Sequence, residues 1–379
     1  MRNSVLARIS IGECLDEPLR QQWLSFSSVA KHTPYQTLDW YEAWLTTVGV
    51  ARRETPVIVQ GFDDQDRLRI LLPLVAKRHY GVTIAAFPGD KHANFNFPLT
   101  CPDTTFSQAS ISSLLAHVAQ ERSIDLFFLD ALPSQWDGTA NPLLSLPHRT
   151  HPAPAYILDF DLHDFDASDA VSVGRKARKA RHAERALAKA GVCLRRAADT
   201  DDIAQSLRAF LTQKRRWFSK RGIPDSFSEP GIADFLLALF SRPQGNAELH
   251  LLRIGDVDVA LAGLLTHSRH ASLMFTSYDD ASPHAGKGPG KRLLRFLGQE
   301  LQRRSFRCFD FGLGDAPHKP EIGAVSQNVY VVSRPTAPAG HVMAFAKEAE
   351  RIGKRYVKQS PRLLAASRAV QVRLRAMTK

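Results

Sequence analysis

The sequence predicts an α/β (α+β) chain of two similar halves, each a mixed, twisted sheet flanked by helices. Three observations carry that expectation. The stretch 271–314 runs ASLMFTSYDD, ASPHAGKGPGK, RLLRFLGQELQRR, SFRCFDFGLGD, which reads as a strand ending near Tyr278, a glycine-rich loop, an amphipathic helix and a short buried strand over 307–311. The first half repeats this order: DRLRILLPLVAKRHYGVTIAAF, a loop, a helix and IDLFFLDAL answer to DVDVALAGLLTHSRHASLMFTSY, a loop, a helix and RCFDFGLGD. The likeness is one of pattern rather than identity, as in a degenerate duplication. A length of 379 residues is enough for two domains with cores of their own.

Taken in order, 5–11 reads as a first strand. Asp16 is a helix cap ahead of Pro18, with Leu19, Trp23 and Phe26 at helical spacing. A helix over 38–48 gathers Trp40, Tyr41, Trp44 and Leu45 on one side. Strands follow at 56–62 and 68–77, joined by the turn Asp63-Asp64-Gln65-Asp66, and at 83–87. The segment 89–98, GDKHANFNFP, reads as a polar loop before a helix over 106–120 and a strand over 124–131. Pro133, Pro142, Pro147, Pro152 and Pro154 prevent a persistent helix and mark the junction between a domain over 1–150 and a second over 151–339. The second half then reads as a strand over 155–160, a strongly basic helix over 172–189 closed by Gly191, helices over 203–220 and 235–240, and a strand over 248–254. A basic helical tail occupies 340–379, interrupted at Pro361.

Hydrophobic residues at 44% and charged residues at 23% are globular values. No run approaches the roughly 20 apolar residues of a membrane span, and the N-terminus lacks the apolar core of a signal peptide. A soluble, cytoplasmic protein is expected. Cys14, Cys101, Cys193 and Cys308 are widely separated, with no CxxC and no Cys/His ligand spacing, so free, mostly buried thiols and no metal are expected. A net charge of +12 points to an anionic partner or to a solvated basic surface. The basic run over 172–189 suits an anionic acceptor and the basic tail a membrane surface, and the run over 172–189 lacks the interleaved aromatics that would suggest nucleic acid. There is no G-x-S-x-G elbow for a serine nucleophile.

The glycine-rich loop has the clearest chemical use. A helix N-terminus presents unpaired N–H groups and the positive end of the helix dipole, which suit a phosphate. Gly286, Gly288 and Gly290 let an anion approach the backbone, and Lys287, Lys291 and Arg292 add positive charge. Walker spacing and the GxGxxG fingerprint are both absent, and a plain turn on a basic surface is the alternative. With Gly288-Pro289-Gly290 before the helix, the segment resembles the coenzyme A loop of the GNAT acyltransferases, although Ala285 stands where Gln or Arg is usual. GPGKRLL followed by CFDFGLGDAPHK resembles more specifically the CelD/BcsL acetyltransferases, named for cellulose biosynthesis, with His318 before Lys319 where that family carries an aromatic residue. The resemblance extends through KRRWFSKRGIPDSF at 214–227 and, weakly, to YQTLDWYEAW at 35–44.

This resemblance implies two tandem GNAT-like domains, the first degenerate. It also implies transfer of an acyl group from acetyl-CoA, or another acyl-CoA, to an amine or hydroxyl of a small-molecule or saccharide acceptor in exopolysaccharide or cell-envelope synthesis. Phe275 and Thr276 would meet the thioester through a free backbone N–H around 274–276, and Lys287, Gly288, Gly290, Lys291 and Arg292 would hold the pyrophosphate. Asp310, Asp315, His318 and Lys319 follow as candidates for proton transfer and charge stabilisation. Imidazole titrates near neutrality; Asp310 alternates with Phe309 and Phe311, so it faces either a cleft or a structural hydrogen-bond partner. Arg216, a planar anion clamp, is a candidate for acceptor binding with Trp217, Tyr278 and the first copy's His92, Asn94 and Asn96. No Tyr lies between Tyr278 and Tyr330 to protonate a leaving thiolate, so the general acid is unassigned. The rival readings are a Fem-like transferase that uses aminoacyl-tRNA and a non-catalytic GNAT-like scaffold.

Overall fold

The computed structural model describes residues 2–3, 6–162, 191–316 and 318–359. The basic helix expected over 172–189 and the end of the tail lie outside these residues. Strand β1 (Arg8–Gly12) leads to helix α1 (Glu17–Ser27), whose cap Asp16 accepts a hydrogen bond from the Leu19 N–H at 3.0 Å. Helix α2 (Leu38–Trp44) passes into a π-helical turn at Leu45–Gly49, where the pattern predicts a regular helix. The hydroxyls of Thr46 and Thr47 donate to the carbonyls of Glu42 at 2.9 Å and Ala43 at 2.6 Å, competing for acceptors of the regular ladder. Next come β2 (Thr55–Phe62), β3 (Leu68–His79), β4 (Val82–Ala86), α3 (Gln108–Arg122), β5 (Leu126–Pro133) and β6 (Arg149–Thr150).

The second half begins with β7 (Ala155–Asp159), β8 (Val192–Arg196), α4 (Thr200–Arg221), α5 (Ile232–Phe240) and β9 (Ala247–Ile254). It continues through β10 (Val257–His267), β11 (His270–Tyr278), α6 (Pro289–Arg303) and β12 (Cys308–Leu313). The last elements are α7 (His318–Glu321), β13 (Val325–Gln327), β14 (Val329–Pro335) and α8 (Pro338–Gln359).

Two compact units result. Unit 1 is Met1–Ala153, Phe218–Phe235 and Asn328–Lys379; unit 2 is Pro154–Trp217 and Leu236–Gln327. This division is not contiguous and departs from cuts at 150 and 339. The reason is strand pairing. β14, from the end of the chain, completes the sheet of unit 1 between β5 and β6.

The sheet of unit 1 has the order β6-β14-β5-β4-β3-β2-β1, with Leu99–Thr100 added against β3. Only β4 and β5 are parallel, and α3 makes the crossover between them. Side chains alternate across the sheet. Val57 and Val59 pack with Leu114, Leu115 and Val118 of α3, while Ile58 packs with Trp23, Phe26 and Tyr41. Helix α8 lays Met343 and Ala344 over Val82, Ile84 and Leu126.

The sheet of unit 2 repeats the plan, with the order β8-β9-β10-β11-β12-β7-β13. Again one pair is parallel, β11 with β12, joined by α6, whose Leu293, Leu294, Leu297 and Leu301 pack on Val259, Leu264 and Phe309. The thiols are free but not mostly buried: Cys14 and Cys193 are exposed, Cys193 on the face of β8 opposite Val192 and Leu194, which pack on the core, and Cys101 and Cys308 are partly exposed.

Candidate active site

The parallel strands of unit 2 pair only at His270–Cys308, Ala271–Phe309 and Ser272–Asp310, although β11 continues beside β10 as far as Tyr278. Beyond Ser272, β11 and β12 therefore part. Their parting coincides with a bulge: Gly263 pairs with Phe275 and Leu264 with Leu273, leaving Met274 as the extra residue. Backbone N–H groups point to alternate sides of a strand, so one within 274–276 turns away from β10 toward the gap. The Phe275 side chain does not. Its ring stacks on Phe210 at 4.1 Å and lies 5.5 Å from Phe240, in space left by Gly263, where a Cβ would come within 2.4 Å of the ring. Phe275 can therefore serve a ligand only through its backbone. Thr276, opposite Ala262, is partly exposed.

From β11 the chain passes through a 3-10 turn, Ala285–Lys287, to the N-terminus of α6. Gly288 is the N-cap, at φ 66° and ψ 49°, with no side-chain capping bond and with Pro289 following. Only glycine adopts that left-handed conformation readily. A Cβ on Gly286 or Gly288 would meet nothing within 4 Å, whereas one on Gly290 would lie 3.7 Å from the Tyr278 ring. The loop thus leaves its backbone open, beside the unpaired N–H groups of the first helical turn. Lys287 Nζ lies 2.9 Å from His284 Nδ1, Arg292 Nε donates to the Lys287 carbonyl at 3.0 Å, and Lys291 pairs with Glu321 of α7. Open glycines, a helix dipole and three cations are a fitting set for a diphosphate.

At the end of β12, several expected site residues meet, and two of them hold the strand rather than face a ligand. Asp310 is buried; its carboxylate accepts hydrogen bonds from the Ser272 hydroxyl and from the Gly312 N–H at 2.6 Å. Lys319 is buried as well. Its ammonium donates to the carbonyls of Gly312 at 2.9 Å, Leu313 at 3.2 Å and Gly314 at 2.7 Å, and lies 5.2 Å from the centre of the Tyr156 ring. Burial lowers its pKa, although Asp310 and Asp315 oppose the shift. Three carbonyls occupy the three donors of this ammonium, a structural role beside the charge stabilisation expected of Lys319.

The other two are more accessible. Tyr156, unmarked by any sequence motif, donates its phenol proton to Asp315 at 2.6 Å, and this hydrogen bond raises the phenol pKa. His318 is half-buried. Burial, followed by the charges of Lys319 and Lys291, lowers its pKa below 6.5 and keeps the imidazole neutral at pH 7.

The remaining expected residues are placed differently. Arg216 is ion-paired to Asp279 at 2.9 Å and approaches Asp280 at 3.7 Å, so its charge is already matched within unit 2. Trp217 receives Lys214 over its ring at 5.5 Å. Within the segment 89–98, Asp90 and Lys91 are exposed but 92–98 are buried rather than a polar surface loop, because Phe95 and Phe97 enter the core of unit 1. Asn96 accepts from Gln36 at 3.0 Å and donates to the Asp130 carbonyl at 2.9 Å, which makes it a structural link. Asn94 is buried, and His92 is buried with its ring 5.1 Å from Phe227; desolvation pushes the His92 pKa down to about 4.

A family profile described as "Acetyltransferase (GNAT) domain" matches residues 174–320. No curated protein matches the chain. Among solved structures, FemX is similar with a TM-score of 0.61 at 11% identity, covering 88% of this chain and 100% of that one. The C-terminal domain of a putative lysylphosphatidylglycerol synthetase from Agrobacterium fabrum is similar with a TM-score of 0.51 at 10% identity, covering 86% and 96%. L-PGS from Bacillus licheniformis gives 0.50 at 12%, covering 89% and 98%. At such identities the likeness is one of fold. The chain has the GNAT fold, its plan drawn twice, and the profile match falls on the copy that holds the parted strands and the open glycine loop.

Proposed function

We propose that unit 2 transfers an acyl group from a coenzyme A thioester to an amine or hydroxyl acceptor. The observation that carries this reading is the parting of β11 and β12 past Ser272, with a bulge at Met274 and, after the loop that follows the same strand, an uncapped glycine N-terminus of α6. A bound acyl-CoA supplies the activated carbonyl and the thiolate leaving group. The backbone of 274–276 offers that carbonyl an N–H donor fixed before reaction, and one such donor is worth about 10²–10³ in rate. Gly288, Gly290, Lys287, Lys291 and Arg292 would hold the diphosphate. Neutral His318 is the group to take a proton from the acceptor, and Tyr156 holds a phenol proton on Asp315, three residues before His318. A saccharide or cell-envelope precursor is the acceptor class to which the CelD/BcsL resemblance points.

Calorimetric titration of acetyl-CoA into the wild type and a Gly288→Glu, Gly290→Glu double variant tests the cofactor site, with each shown to be folded by its melting transition. Binding is expected in the wild type and not in the variant. His318→Ala should bind acetyl-CoA normally but lose turnover across an acceptor panel. Failure of acetyl-CoA to bind the wild type would overturn the reading. The likeness to FemX favours a Fem-like, aminoacyl-tRNA-dependent transferase as the second reading, which copurifying RNA and salt-sensitive RNA binding would support.

A further inference from the structure

We infer that unit 1 holds a binding site of its own, for an uncharged, hydroxyl-bearing ligand of the sugar or polyol class, at the place where unit 2 keeps its candidate active site. The two sheets correspond strand for strand there. Helix α3 crosses from β4 to the parallel β5 as α6 crosses from β11 to β12. β14 lies antiparallel beside β5 as β7 lies beside β12, and each carries a register shift at a tyrosine: between Tyr330 and Val332 in β14, and between Ala155 and Ile157, spanning Tyr156, in β7.

In unit 1 the segments before the crossover helix and after the second parallel strand enclose a cleft of about 530 Å³. That is large enough for a small ligand. Its lining, unlike that of the unit 2 loop, carries no charge. Lys287, Lys291 and Arg292 surround the open helix end in unit 2, but among the described residues lining this cleft there is no Lys, Arg, Asp or Glu. The helix end is also closed, because Ser107 caps α3 by accepting from the Ser110 N–H at 3.1 Å. An ionic ligand would give up hydration here without gaining a counter-charge.

What the cleft does offer is hydroxyl chemistry against an apolar wall. Thr139 and Tyr330 bring hydroxyls. His148 Nδ1 lies 2.8 Å from the Leu146 carbonyl, so Nδ1 carries the proton in the neutral ring and Nε2 is left as an acceptor. Phe106, Leu144 and the Tyr330 ring, which the His148 ring meets edge-on at 5.1 Å and 84°, supply the apolar surface. A hydrocarbon would leave the hydroxyls and the imidazole without partners. A polyol satisfies them while its C–H faces cover the rings.

Saturation-transfer NMR on the full chain tests this site with methyl glucoside, sucrose and sorbitol, and with glucose 6-phosphate and gluconate as charged counterparts. At least one neutral probe should bind, in preference to the charged ones. His148→Ala and Tyr330→Phe should each weaken that binding roughly three- to tenfold, the scale of one hydrogen bond. Ala140→Trp, at an exposed lining position that can fill the cleft without entering the core, should abolish it while leaving the melting temperature unchanged. Binding of no neutral probe, equal binding in all three variants, or preference for the charged probes would each overturn the assignment.

Discussion

Lys319 shows why the roles of single residues at this site are less legible in the sequence than the loop beside them. The glycine loop was legible because its chemistry is local: three glycines, three cations and a helix start lie within seven residues (286–292). The role of Lys319 depends on where the carbonyls of Gly312, Leu313 and Gly314 turn after β12, which only the fold decides. Lys319→Met would leave three carbonyls without their donor, at a cost of about 2–4 kcal/mol. Its thermal transition should fall accordingly; an unchanged transition would show that the clamp contributes nothing. His92 makes a prediction about acid. Its folded pKa of about 4 lies below the ordinary 6.5, so the unfolded chain binds a proton that the folded chain refuses. Stability is therefore highest above pH 6.5 and is lost as pH falls to 4, by about 3 kcal/mol from this group. Urea midpoints measured across that range should fall less steeply in His92→Gln than in the wild type, and equal slopes would refute the assignment.

Elements with a periodic pattern and a local cap are legible in the sequence nearly in place. Helix α1 has Asp16 and its Leu19, Trp23, Phe26 stripe, and α6 has its leucines. Strands β8 and β14 have no such local signal. β8 has five residues, and β14 pairs with a strand about two hundred residues earlier, a partner that no local pattern announces. The parting of β11 from β12 was legible only through resemblance, because a backbone gap has no side-chain signature. Helix α8 yields a sharper test. A Cβ on Gly340 would lie 1.8 Å from the Asp125 carbonyl oxygen, a backbone atom that cannot move aside cheaply. Gly340→Ala should lift the first turn of α8 from the start of β5 and cost about 3 kcal/mol, where the same change in an open helix would gain about 1 kcal/mol because alanine is the better helix residue. Hydrogen exchange should quicken at Met343 and Ala344; protection equal to the wild type would mean that the helix adjusts without leaving.

At the scale of the molecule, the chain closes the sheet of unit 1 only after unit 2 has been made. β14 fills the position between β5 and β6, and Val332 enters the same core cluster as Leu114 and Phe127. Without β14, β5 would become an open edge with its ladder groups exposed, a template for aggregation. A chain ending at Gln327 retains every strand of unit 2 but lacks β14 and α8; one ending at Pro335 restores β14 alone. The shorter chain should lose the cooperative transition of unit 1 and aggregate while still binding whatever unit 2 binds. The chain ending at Pro335 should regain that transition at a reduced midpoint, because Val82, Ile84 and Leu126 stay uncovered by α8. Scanning calorimetry with a solubility assay separates these outcomes. A chain ending at Gln327 that melts like the full protein would show that β14 is an accessory strand and that unit 1 folds without it. Loss of both units in that chain would instead show that they fold as one cooperative body, which is the alternative that the interleaved chain path makes worth measuring.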